Sequence, residues 1–315
     1  MMGGDFAPAE AIKGVQLFFE QVPDPSVHLL LIGDARAAAP YLSLLDAWQH
    51  RFTLVEASQV IGMHEHPTKA LKEKPESSIA KGFGMLAAGK ADAFISAGNT
   101  GAMMVGAMYS VKNIEGVSRP TIASPIPRED GRYNLLLDVG ANADCKPEQL
   151  LQFAQLGSLY MKHMAGIAAP RVGLLNIGEE EGKGNLLAQA TYPLLKEDPQ
   201  VNFVGNIEGR DVFLDKCDVV VCEGFVGNVV LKLAESIYDI FNTRRGVSDS
   251  FLDQFNYEIY GGTPVLGINE PVIIGHGISH AVAFKNMIDT ARRIISSNLI
   301  AAFRQSFNVP AKTQS

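Results

Sequence analysis

Residues 174–185 read LLNIGEEEGKGN: an apolar run closes on Gly178, three glutamates follow, and Lys183 stands between Gly182 and Gly184. Glycines let a backbone approach a ligand closely, and a lysine among them supplies a compact, mobile positive charge. The pattern suits an anion but not a nucleotide. A Walker-type loop needs four residues between its glycines and a Ser or Thr after the lysine. Here only Glu179, Glu180 and Glu181 separate Gly178 from Gly182, and Gly184 takes the Ser/Thr place. Three carboxylates would also repel a triphosphate. What remains is a small anion held by Lys183, with glutamates that orient the lysine or manage protons.

Other turns share the character of this one. They are Ser96–Gly101 (SAGNTG), Asp138–Asn142 (DVGAN), Gly205–Gly209 (GNIEG), Glu223–Asn228 (EGFVGN) and Gly275–Gly277 (GHG). In an open parallel sheet, ligands bind outside the carboxyl ends of the strands, where the next helix offers free N–H groups to an anion. Ser96, Asn99, Thr100, Gly101, Asn142, Gly182, Gly184 and Gly227 are therefore candidate binding residues. Asn99 and Asn228 are candidate amide donors. Asn is also a preferred helix N-cap, so each has a purely structural alternative. Asp5, Asp138 and Glu179 are candidate proton acceptors or partners of Lys183, and His276 between two glycines is a candidate catalytic imidazole.

Other familiar motifs fail. Gly82-Phe-Gly84 lacks the third glycine of a dinucleotide fingerprint and falls inside a predicted helix. GISHA (277–281) misses the nucleophile elbow because Ala281 replaces its last glycine. His64 and His66, two apart in a proline-bearing loop, read as solvated side chains rather than metal ligands. The basic run Lys69–Lys81 reads as a solvated face, with docking of an acidic partner as its functional alternative.

The elements that must position these residues follow from the apolar runs. Strands are predicted at 27–33, 52–57, 91–98, 134–142, 171–178, 201–209, 217–224 and 271–277. Most are short and continuously apolar, as in strands covered on both faces. Helices are predicted at 9–21, 77–89, 147–163, 185–197, 227–241 and 279–303. Strands alternating with helices of this length imply right-handed βαβ units and a mostly parallel sheet. The tail from Pro310 is expected to fray.

At 315 residues, with 47% hydrophobic and 19% charged residues, the chain has the make-up of a folded α/β protein. A formal net charge of −7 argues against a general nucleic-acid binder, and an acidic partner would need a local basic patch. Cys145, Cys217 and Cys222 are too few for a disulfide scaffold and read as thiols of a reducing compartment. No apolar run approaches the roughly 20 residues that span a bilayer, and no signal peptide opens the chain, which predicts a cytoplasmic protein.

Taken together in order, the blocks resemble a known family. MGGDFAP (2–8), SAGNTGA (96–102), LLDVGAN followed by DCKPE (136–148), LLNIGEEEGKGN, CEGFVGNVVLK (222–232), YGGTPVLGI (260–268) and GHGIS (275–279) are similar to the bacterial phosphate acyltransferases of phospholipid synthesis. The resemblance implies one three-layer α/β/α catalytic domain over 1–315, like the isocitrate and isopropylmalate dehydrogenases, with two lobes around a cleft as the alternative. It implies a homodimer that needs no redox cofactor and no nucleotide, and it adds Gly3, Gly4 and Asp5 of the opening MMGGD to the candidate phosphate-binding residues; no metal is expected. The implied reaction is attack of inorganic phosphate on the thioester of a long-chain acyl carrier protein, giving acyl phosphate for a glycerol-3-phosphate acyltransferase. Such chemistry needs a positioned phosphate and preorganised donors for the thioester oxyanion.

The chain departs from that family's pattern twice. Family members open with a short apolar strand before the glycine–aspartate loop, so that strand is expected to be missing ahead of Met1, leaving a gap in the sheet and unseating Gly3, Gly4 and Asp5. Residues 233–258 are shorter than the corresponding helical excursion. Ile237, Ile240, Phe241, Phe251, Leu252 and Phe255 are expected to pack in the core or a dimer, with peripheral membrane contact through 234–258 at the inner face as the alternative. Three functional rivals stand beside the main reading: a phosphotransacetylase using short-chain acyl-CoA, an NAD-linked decarboxylating dehydrogenase, and a non-catalytic anion- or acyl-binding protein.

Overall fold

The computed structural model describes residues 1–308, so the tail from Pro310 lies outside the described residues. The chain divides into two compact units, Met1–Lys112 with Tyr257–Ser296, and Asn113–Asn256 with Ser297–Ser315. In chain order the first unit opens with α1 (Ala9–Gln21), β1 (Leu29–Gly33), α2 (Ala35–Leu42), β2 (Phe52–Glu56), α3 (Pro67–Glu73), α4 (Ser78–Ala87), β3 (Phe94–Ser96) and α5 (Thr100–Gly106). The second unit contributes β4 (Thr121–Pro127), β5 (Tyr133–Leu137), α6 (Pro147–Met164), β6 (Arg171–Leu175), α7 (Leu186–Glu197), β7 (Asn202–Ile207), β8 (Val219–Val221), α8 (Gly224–Tyr238) and α9 (Ser250–Asp253). The chain then returns to the first unit with α10 (Tyr257–Tyr260), β9 (Gly262–Leu266), β10 (Val272–Gly275) and α11 (Ala281–Ser296), and α12 (Leu299–Phe307) rejoins the second.

In the first unit, Ile12, Val15, Phe18 and Phe19 recur at helical spacing on α1 and build a buried cluster with Leu31, Ala38, Leu45 and Ile288. Gly14 brings α1 against α11, since a Cβ there would sit 2.4 Å from that of Phe284. β1 pairs in parallel with β2, while β10 pairs in parallel with β3 and antiparallel with β9.

In the second unit β5, β8, β6 and β7 run parallel in that order, and β4 is antiparallel to β5. Leu135–Leu137 and Val219–Val221 are fully buried, as their unbroken apolar runs require. Gly157 seats α6 on the sheet, because a Cβ there would lie 2.6 Å from Val219 Cγ1. Both antiparallel strands were absent from the sequence expectation. Each contains proline, Pro125 and Pro127 in β4 and Pro264 in β9, and proline ordinarily demotes a strand.

One buried charge cluster fixes this sheet at the β5 start. Arg128, 1% exposed, forms ion pairs with Asp130, Asp215 and Asp218, the last two shared with Arg171. Arg128→Ala empties a fully buried site but leaves Asp215 and Asp218 with Arg171 and Asp130 with Arg132, and is expected to cost about 1–3 kcal/mol, measured by denaturant unfolding. The Arg128 guanidinium holds the Asp130 carboxyl well below the usual carboxylate range. A folded pKa below the unfolded one means that this stabilisation is complete above roughly pH 4 and is lost on further acidification.

Candidate functional site

The predicted loops fall at the carboxyl ends of their strands, in two groups, one in each unit. In the first unit the Gly3–Asp5 turn meets both the β3 and the β10 ends. Asp5 N–H donates to Gly277 O at 2.7 Å, while Gly3 lies so near Gly98 that a Cβ would stand 2.5 Å from its Cα. Gly4 has φ +93°, and a Cβ would approach Gly277 O to 2.8 Å. Gly3, Gly4 and Asp5, expected to lose their seat, are thus held in place. The Asp5 side chain is exposed, and the His276 ring lies 4.7 Å from that of Tyr257.

Asn99 does not match its expected role as an amide donor to substrate. Its Oδ1 caps α5 by accepting from Ala102 N–H at 2.9 Å, and its Nδ2 donates to Gly62, Met63 and Glu65 carbonyls at 3.0–3.1 Å. Both amide hydrogens are spent on these carbonyls, so the side chain has no donor left for a ligand. Asn99 instead straps residues 62–65 to the β3 end. Ser96 Oγ accepts from Gly98 N–H at 3.1 Å and closes the same turn. Thr100 is exposed beside it, and Gly101 admits Pro67, whose Cγ would be 2.4 Å from a Cβ.

In the second unit, Asp138 is completely buried. Its carboxylate accepts from the backbone N–H groups of Ile122, Ala141 and Asn142 and from Asn142 Nδ2, at 2.6–3.2 Å. Burial pushes this carboxyl up against the pull of those donors. The expected role of accepting a proton from phosphate is therefore corrected: Asp138 knots the β5 turn and offers no face to a ligand. Asn142 belongs to the knot, since its Nδ2 also donates to Pro120 O at 2.8 Å. Asn228 Nδ2 donates to Val139 O at 3.0 Å from an otherwise exposed side chain on α8. Glu223, not an asparagine, caps that helix by accepting from Phe225 and Val226 N–H groups.

The glutamates of the Gly178–Asn185 loop separate from one another. Glu179 pairs with Lys216, which also holds the buried Asp211 at 3.0 Å, and Glu181 pairs with Lys196 at 3.0 Å. Glu180 sits beside Lys183, at the loose distance of 4.0 Å. Glu179 therefore does not fix Lys183, as the sequence had suggested. The backbone is pinned instead: Asn176 Nδ2 donates to Lys183 O at 3.1 Å and Asn206 Nδ2 to Glu180 O at 2.8 Å. Gly184 makes the turn at φ +94°, and a Cβ there would strike Asn176 Oδ1 at 2.3 Å. Lys183 is left half exposed on a fixed loop, the arrangement of a cation that can meet an anion without first breaking a tight ion pair.

A family model described as "Fatty acid synthesis protein" matches residues 1–243 and 247–302. A phosphate acyltransferase of Halothermothrix orenii is 43% identical over 326 residues, covering 98% of this chain and 97% of that one. The phosphate acyltransferase of Heliobacterium modesticaldum is 42% identical, covering 99% and 97%. The chain belongs to the phosphate acyltransferase family. Among solved structures, a branched-chain phosphotransacylase from Enterococcus faecalis is similar at TM-score 0.61 and 14% identity, over 93% of this chain and 96% of that one. A phosphotransacetylase from Streptococcus pyogenes gives 0.57 at 14%, over 91% and 99%. At such identity the likeness shows an α/β fold with a mostly parallel sheet.

Sequence reasoning about this family member missed Asn176, Asn206, Lys216 and Glu223. Asn176 stood inside the quoted block and Glu223 before a helix start, so each carried a local signal. Asn206 stood inside the GNIEG turn and carried the same kind of signal, whereas Lys216 lies outside every quoted block and gave none. The shortened 233–258 stretch divides as well. Phe255 is buried between Phe251 and Phe213, with ring centroids at 5.2 and 5.6 Å, whereas Ile240 and Phe241 remain exposed with Phe225, Val229 and Leu233 of α8. No described helix is long and apolar enough to cross a membrane.

Proposed function

We propose that this chain transfers a long-chain acyl group from acyl carrier protein to inorganic phosphate. The carrying observation is the 43% identity to a phosphate acyltransferase across 98% of the chain. A phosphate oxygen attacks the thioester carbonyl, the C–S bond breaks, and acyl phosphate leaves with the carrier thiol, which takes up a proton. In this reading Lys183 meets the charge of the phosphate or of the developing oxyanion, and the N–H groups of Gly182 and Gly184 contribute donors. Asn228 and His276 are the remaining polar candidates, because each keeps an exposed or half-buried side chain at a strand end. Asp5 is an exposed carboxylate available as proton acceptor.

The finer structural and cellular readings belong to the same proposal: kinship with the isocitrate and isopropylmalate dehydrogenases, a homodimer, a cytoplasmic location, and peripheral membrane contact through 234–258. The apolar stripe of Phe225, Val229, Leu233, Ile240 and Phe241 supports a covered or interfacial face for α8.

A thiol-release assay with phosphate tests the reaction. Long-chain acyl carrier protein is expected to turn over at least about 100-fold faster than acetyl-CoA, a gap of roughly 2.7 kcal/mol in transition-state binding. The reverse preference would replace this reading with a phosphotransacetylase, the activity named for a solved structure of similar fold. Binding of phosphate without turnover of either thioester would favour the non-catalytic alternative.

A further inference from the structure

Gly205–Ile207 of the GNIEG stretch belong to β7, and the strand is irregular there. Val172 pairs with Phe203, but Gly173 pairs with Gly205, so Val204 is an extra residue in β7. Gly205 follows it at φ +98°. Unbroken pairing would set Asn206 beside Leu175, whereas this bulge sets it beside Leu174. A shift of one residue reverses the face on which a side chain stands, and bulges re-aim side chains in this way.

The re-aimed side chain reaches the Lys183 loop. Asn206 Nδ2 donates to Glu180 O at 2.8 Å, and Lys183 N–H donates to the same carbonyl at 3.0 Å. One oxygen thus closes the turn from Glu180 to Lys183 and ties it to β7. The lysine stem lies over Gly178, where a Cβ would stand 3.3 Å from Lys183 Cγ. Asn206 is 4% exposed, and its Oδ1 is buried with no hydrogen-bond partner among the described residues. A buried acceptor left unpaired costs stability. Leucine has the same branched outline and no polar atom to satisfy. Nor would Glu180 O be stranded without Asn206, because Lys183 N–H still donates to it.

We propose that Asn206 is a positioning residue of the acyl transfer: aimed by the bulge, it fixes the Glu180–Lys183 turn and so sets where the lysine ammonium meets charge. This role rests on that of Lys183 in the proposed reaction. A polar group retained at a cost to stability marks a residue kept for a site rather than for the fold. What it supplies is placement, and a misplacement of about 1 Å at a reacting centre can cost roughly 100-fold in rate.

The test sets Asn206→Leu beside Lys183→Ala in the thiol-release assay with phosphate and long-chain acyl carrier protein. Asn206→Leu is expected to lower kcat/KM by about 10–100-fold while the melting temperature stays level or rises. Its loss divides between kcat and the phosphate KM in the proportion seen for Lys183→Ala. Added to Lys183→Ala, it costs less than about twofold more, since it acts through that lysine. The Lys183 amide exchanges about tenfold faster without Asn206, because its turn opens more readily. Asn206→Ala, which only removes atoms, carries the same kinetic comparison if leucine does not fit. Full activity in both Asn206 variants beside an impaired Lys183→Ala overturns the positioning role alone. So does a loss that tracks a fall in melting temperature and adds in full to that of Lys183→Ala, the behaviour of a structural residue. A fully active Lys183→Ala overturns the reading of the lysine and the role of Asn206 with it. If the unsubstituted chain turns over no acyl thioester, the reaction reading fails, and unchanged exchange at Lys183 then overturns the positioning as well.

Discussion

Gly227→Ala lowers the melting temperature by roughly 6–12 °C, the equivalent of about 3 kcal/mol of overpacking in a unit of this size. The reason is a single close approach. A Cβ on Gly227 would stand 1.9 Å from Asp138 O, and 2.9 Å from both Asp138 C and Cys222 Sγ. None of these is the end of a flexible side chain that could swing away. Asp138 is locked by its four donors, and Cys222 sits in the β5–β8 ladder through Asp138 N–H to Cys222 O at 3.0 Å. The helix must retreat or the β5 turn must open, and either movement breaks the knot that Gly224 N–H completes by donating to Asn142 O at 2.7 Å. Gly182→Ala is the matched control, since nothing lies within 4 Å of its Cβ position. Thermal unfolding of both variants by circular dichroism decides the matter. Equal melting temperatures would show that the α8 start gives way freely.

The same knot shows what was legible beforehand. The glycines and asparagines at the strand ends marked the right loops, because close backbone approach leaves glycine as its trace in a sequence. What those side chains bond to left no trace. Asn99, Asp138 and Asn142 each looked available, and each spends its hydrogen bonds within the fold, mainly on backbone groups, two of them far along the chain: Asn99 on residues 62–65 and Asn142 on Pro120. A sequence displays its inventory of donors and acceptors, whereas partners are assigned by tertiary packing. The predicted strand 134–142 ran five residues beyond β5 for the same reason. Its apolar run continues only to Leu137, after which the chain turns inward on Asp138.

Periodicity worked where propensity and burial agreed. α1 occupies 9–21 and α6 begins at Pro147, as predicted, because each combines a helical apolar face with a clear boundary residue. It failed at β4, where Pro125 and Pro127 hide a nearly fully buried strand. Antiparallel pairing with β5 supports these prolines in a way that local rules do not anticipate.

Lys183→Ala should do the opposite of Gly227→Ala, removing activity while leaving the fold intact. The side chain is half exposed and its nearest carboxylate is 4.0 Å away, so truncation leaves no buried partner unsatisfied. Stability is expected to change by no more than about 0.5 kcal/mol. The loop keeps its shape because Asn176 and Asn206 hold its backbone, and neither bond involves the ammonium. If Lys183 stabilises charge in the transition state, its loss should lower kcat/KM by about 10²–10³, or roughly 2.7–4 kcal/mol. The division between constants identifies the charge it meets. A rise in the phosphate KM at constant kcat assigns the ammonium to bound phosphate, and an equal fall in kcat and kcat/KM assigns it to the oxyanion. Lys183→Arg keeps the charge but changes its geometry, so partial recovery is expected under either assignment. Full activity in Lys183→Ala would remove the lysine from the mechanism. The Gly178–Asn185 loop would then be a scaffold whose three lysine–glutamate pairs serve the fold alone.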